Sequence, residues 1–112
     1  MQLARHGGVI GIRDQALLDA ALQEPLAMFE SEPEISVNRL ATVYVSALAK
    51  GKPFEDANKR TGLVAGATFL YENGWLLKAE QPDTVIATFR LVSGEWSTEQ
   101  FSNWLEQHSV RV

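Results

Sequence analysis

The chain has 112 residues, enough for one hydrophobic core and too few for two. Hydrophobic residues at 46% and charged ones at 21% exclude a disordered chain. A net charge of −4 argues against a nucleic-acid face, and the absence of cysteine excludes disulfides, thiolate metal sites and a Cys nucleophile. There is no signal-peptide pattern and no apolar run near the ~18 residues that a membrane span needs. A single cytoplasmic domain, residues 1–112, with no membrane or direct nucleic-acid partner, is the expectation.

Met1 to Gly11 is short and glycine-rich, and His6 within it reads as a surface or packing residue. Asp14 is a plausible cap for a helix whose apolar positions are Leu17, Leu18, Ala21 and Leu22. Pro25 is expected to end or re-nucleate that helix, with Leu26, Met28 and Phe29 packing back on the core. Glu30 to Glu34 reads as an acidic connector. Ser36 can cap a helix from about Val37 to Ala49, apolar on almost every side and therefore central and buried. A second central helix is expected from about Asn58 to Asn73, with Gly74 as its stop. Gly62 and Gly66 lie one turn apart in it. Each costs roughly 1 kcal/mol against Ala, so close approach of another helix is the expected compensation.

Trp75-Leu76-Leu77 reads as a short extended piece, one arm of a hairpin or flap. Pro82-Asp83 opens a helix to about Val92, with Val85, Ile86, Phe89 and Val92 expected inside. Ser97-Thr98-Glu99-Gln100 is a capping box ahead of a last helix bearing Phe101, Trp104 and Leu105 on one face. His108 lies near its C-terminus, where a cation favours the dipole. The fold class is all-α: two central buried helices flank a loop, with one short β flap at most.

That loop carries the chemistry. Lys50-Gly51-Lys52-Pro53-Phe54-Glu55-Asp56-Ala57-Asn58-Lys59-Arg60 holds four cations within eleven residues of an acidic chain. Pro53 disfavours helix at Lys52, so the incoming helix stops near Lys50 or Gly51. The next helix begins at Ala57-Asn58, and its first N–H groups and positive dipole end form an anion site. Asp56 is the metal candidate, since one carboxylate plus phosphate oxygens and waters is a common Mg²⁺ arrangement. Asn58 can hold phosphate oxygens, Lys59 and Arg60 add charge, and Phe54 can anchor the loop. Helix capping alone would also account for Asp56 and Asn58.

Phe54 to Arg60 resembles the central motif of the Fic/Doc (Fido) superfamily, His-Pro-Phe-x-Asp/Glu-Gly/Ala-Asn-Gly/Lys-Arg. It is most similar to the Doc, or death on curing, branch. His6-Gly7-Gly8-Val9-Ile10-Gly11-Ile12-Arg13-Asp14 resembles the Gly-Gly-x-x-Gly-Ile-Arg-Asp segment of that branch. Phe69 to Gly74 resembles its helix ending. That branch usually has one more helix ahead of the Gly-Gly segment, for which the first residues leave little room.

The resemblance implies a toxin of a toxin–antitoxin module that binds ATP with Mg²⁺. Asp56 would hold the metal, and Ala57, Asn58, Lys59 and Arg60 the nucleotide. A groove would receive a C-terminal helical segment of the antitoxin, with an apolar strip drawn from Leu26, Met28, Phe29 and the C-terminal tryptophans. Fic enzymes transfer the nucleoside monophosphate part and carry Gly after the Asn and a second Arg three positions beyond the first. Lys59 and Leu63 occupy those places here. Both departures match the Doc branch, in which the γ-phosphate passes to a threonine of elongation factor Tu. Adenylyl transfer and a catalytically dead antitoxin-binding module are the alternatives.

Lys52 departs from the family, which has its catalytic His at that position. An ammonium has no lone pair to accept the proton of a target hydroxyl, so a lysine is a poor general base near neutral pH. An inactivating substitution and a natural loss of the base both account for it. Thr68 to Asn73 also fits the Fic inhibitory-helix pattern. At ~1.5 Å per residue, however, Glu72 lies roughly 20 Å from the start of a continuous helix and cannot reach its site.

Overall fold

A computed structural model describes residues 11–53 and 57–112. Asp14 opens α1, Gln15–Ser31, by accepting hydrogen bonds from the Ala16 and Leu17 N–H groups at 2.9 and 3.2 Å. Pro25 does not end this helix; it lies inside it, buried with Ala21. A proline there removes one backbone donor, and α1 compensates by laying this small-residue face on α2. The expected inward packing of Leu22, Leu26 and Phe29 is overturned with it. These three are exposed, and only Met28, with Leu17 and Leu18, is half-buried.

Ser36 caps α2, Val37–Gly51, through its Oγ, which accepts from the Arg39 N–H at 3.1 Å. α2 touches α1, α3, α4 and α5, and Leu40, Ala41, Thr42, Val45, Ala47, Leu48 and Ala49 are buried in it. It is the central helix the sequence predicts. α3, Asn58–Glu72, lies against it. A methyl group on Gly62 would meet Val45 and Ala49, and one on Gly66 would meet Val45 and Ala41. Contacts that step backward along α2 as they step forward along α3 make the pair antiparallel. The C-terminus of α2 and the N-terminus of α3 therefore lie at the same end. Gly74, at φ 90°, follows α3 as the expected stop.

β1, Trp75–Leu77, is the extended arm expected, but its partner is not adjacent in sequence. It pairs antiparallel with β2, Ser109–Arg111, in the register Trp75↔Arg111, Leu76↔Val110 and Leu77↔Ser109. Between them lie α4, Gln81–Ser93, and α5, Thr98–Gln107. The capping box of α5 is formed in both directions: Gln100 N–H donates to Ser97 Oγ at 3.1 Å, and Ser97 N–H to Gln100 Oε1 at 2.8 Å. Phe101 and Leu105 of α5 join Ala41, Val45, Leu70, Ala87 and Leu91 in the main core, with Trp104 packed at its edge.

α4 corrects a second expectation. Its buried face is Thr84, Ala87, Thr88 and Leu91, while Val85, Ile86 and Phe89 are 60%, 49% and 57% exposed and Val92 is half-buried. The two threonines can go inside because each hydroxyl donates back into its own helix. Thr84 Oγ1 bonds the Gln81 carbonyl at 2.7 Å and Thr88 Oγ1 the Thr84 carbonyl at 2.8 Å, so neither is buried unsatisfied.

Candidate active site

The antiparallel pair places both ends of the motif loop together. α2 stops at Gly51, and Lys52 is its C-cap in the left-handed region, φ 51° and ψ 50°. Its N–H still donates to the Leu48 carbonyl at 3.3 Å. Pro53 follows, fully buried. On the far side of the loop Ala57 is the N-cap of α3, also left-handed at φ 59° and ψ 27°. Glycine takes that conformation without cost, whereas an L-residue spends of order 1 kcal/mol or more on it. Among the described residues, Lys52 and Ala57 are the two non-glycine positions with positive φ. The positions expected to anchor the loop and to hold a metal, Phe54 and Asp56, lie outside the described residues.

Asn58 occupies the first position of α3 and is half-buried; Lys59 and Arg60 follow, both exposed. Ala57 has no side-chain oxygen with which to cap this helix. Lys50 and Lys52 are exposed at the adjoining end of α2. Among the described residues none of Lys50, Lys52, Lys59 and Arg60 forms an ion pair; the one pair formed, Arg90 Nε to Glu95 Oε2 at 3.2 Å, is elsewhere. Lys50, Lys52, Lys59, Arg60 and a helix N-terminus lie at one end of the molecule, an arrangement that favours a polyanion there. Glu72, at the last position of continuous α3, is at the opposite end, as its helical rise requires. Among the described residues no cluster of three or more His, Asp or Glu side chains could hold a metal ion. His108 is the C-cap of α5, its Nδ1 2.9 Å from the Trp104 carbonyl.

Sequence reasoning gave Arg13 no role of its own. The structure sets it against the loop: Nε and Nη2 both donate to the Lys52 carbonyl, at 3.1 and 2.6 Å. The backbone N–H groups of Arg13 and Asp14 donate to the Pro53 carbonyl at 2.7 and 3.1 Å. The available signal was a cation beside the Asp14 cap.

Residues 1–70 match the Fic/DOC family, so the chain belongs to that family. It is similar to a protein kinase doc of Escherichia phage P1, with 29% identity over 105 residues that cover 94% of this chain and 82% of that protein. It is also similar to a toxin Doc of Mycolicibacterium smegmatis, with 36% identity over 75 residues, 66% of this chain and 58% of that one. The helical architecture with its small two-stranded sheet is the Fic fold that the motif resemblance implies.

Proposed function

We propose that the chain is the toxin component of a toxin–antitoxin module, built to move the γ-phosphate of ATP to a hydroxyl of a translation factor. Elongation factor Tu is the target by resemblance. The observation that carries this reading is the similarity to the phage protein kinase doc across 94% of the chain. The cationic end of the α2–α3 pair supports it. Lys59 and Arg60 would hold the triphosphate electrostatically, Arg60 with two parallel donors, and the N-terminus of α3 would add its dipole. Ala57 and Asn58 line the same helix start. A single Asp56 carboxylate suits Mg²⁺ only when nucleotide phosphates complete the shell, and the ion would neutralise charge on the transferring group.

Lys52 stands where the family has its base. As an ammonium it attracts phosphate but accepts no proton from the incoming hydroxyl, so this chain binds nucleotide and transfers weakly or not at all. No described helix is long and apolar enough to cross a membrane, which suits a cytoplasmic toxin acting on translation. A second reading, a catalytically dead antitoxin-binding module, draws on the exposed Leu22, Leu26 and Phe29 of α1. They recur at i, i+4 and i+7, the spacing of a helix-in-groove contact.

The test is to incubate the chain and its Lys52→His variant with Mg²⁺, elongation factor Tu and ATP labelled at either the α or the γ position. γ-label transferred by the variant alone supports phosphotransfer and assigns the defect to Lys52. α-label would move the protein to the adenylylating branch. No transfer by a folded variant leaves the binding module ahead.

A further inference from the structure

Arg13 and Asp14 direct four hydrogen bonds at two consecutive carbonyls of the motif loop, those of Lys52 and Pro53. The partners are 39 residues apart in the side-chain bonds, so the contact is tertiary. The Lys52 carbonyl lies at the C-cap of α2, where the chain has turned left-handed and runs into a proline, which has no N–H to donate. Two guanidinium donors on that one oxygen satisfy it from a fixed direction. The donors are anchored in turn: the Asp14 carboxylate caps α1 through Ala16 and Leu17, and α1 packs on α2. Arg13 thus sits between a rigid helix start and the first residue of the loop.

We propose that Arg13 is a positioning residue for the transfer site. By holding the carbonyl of residue 52 it fixes the peptide plane there, and with it the direction in which side chain 52 leaves the backbone. It acts through residue 52 and touches no substrate. Guanidinium chemistry is required, since its planar fork places two N–H groups on one oxygen, whereas an ammonium on a flexible stem holds direction poorly. The inference rests on the phosphotransfer reading, so its test separates the two.

The full chain is prepared with Lys52→His alone and combined with Arg13→Ala or Arg13→Lys, and kcat and the KM for ATP are measured with elongation factor Tu as acceptor. Loss of the clamp should lower kcat about tenfold or more and leave the KM for ATP within about twofold, with Arg13→Lys intermediate. Unchanged kcat, or a rise in KM alone, overturns the proposal.

If Lys52→His transfers no label, the phosphotransfer reading falls. The clamp is then decided by urea unfolding of Arg13→Ala and Arg13→Lys. Arg13→Ala should lower the folding constant about tenfold, the loss expected for a charge-assisted hydrogen bond, and Arg13→Lys should recover only part of it. A folding constant equal to the parent's for Arg13→Ala, or full recovery by Arg13→Lys, overturns it.

Discussion

Gly62 lies so close to α2 that a methyl group on its Cα would stand 2.8 Å from the Val45 carbonyl oxygen and 3.3 Å from the Ala49 nitrogen. Both neighbours are backbone atoms and cannot rotate away. One turn later Gly66 meets the Ala41 carbonyl in the same manner, at 3.0 Å. This approach packs α2 and α3 backbone to backbone and brings Lys52 and Asn58 to one end. Gly62→Ala gains roughly 1 kcal/mol of helix propensity but forces the helices apart. Overpacking of this kind costs about 1–3 kcal/mol, so a net loss is expected. Urea denaturation checks it: a midpoint equal to or above that of the parent would refute the close approach.

The two left-handed residues flanking the loop predict the opposite sign. Ala57 spends of order 1 kcal/mol on its φ of 59°. Ala57→Gly removes that strain, and glycine's greater freedom in the unfolded chain returns part of the gain. A net stabilisation of several tenths to about 1 kcal/mol is expected, read as a rise in the urea midpoint at constant slope. A loss of stability would mean that the Ala57 methyl group makes contacts worth more than the strain.

Much of this architecture was legible in the sequence where local chemistry decides structure. Asp14, Ser36 and Ser97 cap the helices they precede, Pro53 and Gly74 punctuate them, and Gly62 and Gly66 announce the close helix pair. The misreadings came where long-range packing decides. Pro25 stays inside α1 because a helix already held along its length against α2 can lose one hydrogen bond. The β1 partner lies at the far end of the chain, beyond any hairpin signal. The motif residues were legible as a pattern, but the Arg13 clamp on the Lys52 carbonyl depends on how α1 docks, which no local spacing encodes.

On the proposed reading, the cations at the α2–α3 end hold the nucleotide electrostatically. Arg60→Ala should weaken ATP binding about tenfold, the loss expected for one charge-assisted bidentate contact. Exposed charges are screened over ~10 Å at 0.1 M salt and ~3 Å at 1 M. The gap between parent and variant should therefore narrow as salt rises. Isothermal titration calorimetry at both ionic strengths decides it. Identical affinities at low salt would place the triphosphate away from the start of α3.

α4 offers the sharpest contrast between apolar residues that matter to the fold and those that do not. Leu91 is fully buried in the main core, whereas Phe89, two residues earlier, is 57% exposed. A sequence reading would give the larger aromatic ring the greater share of stability; burial reverses that order. Leu91→Ala leaves a cavity among Ala41, Val45, Leu70, Phe101 and Leu105 and should cost about 2–5 kcal/mol. Phe89→Ser removes a ring already largely in water and should stay within about 1 kcal/mol of the parent. Thermal and urea unfolding of both variants tests the assignment of the helix face directly. If Phe89→Ser proved the more damaging of the two, α4 would have to be rotated about its axis, and Thr84 and Thr88 would then face solvent.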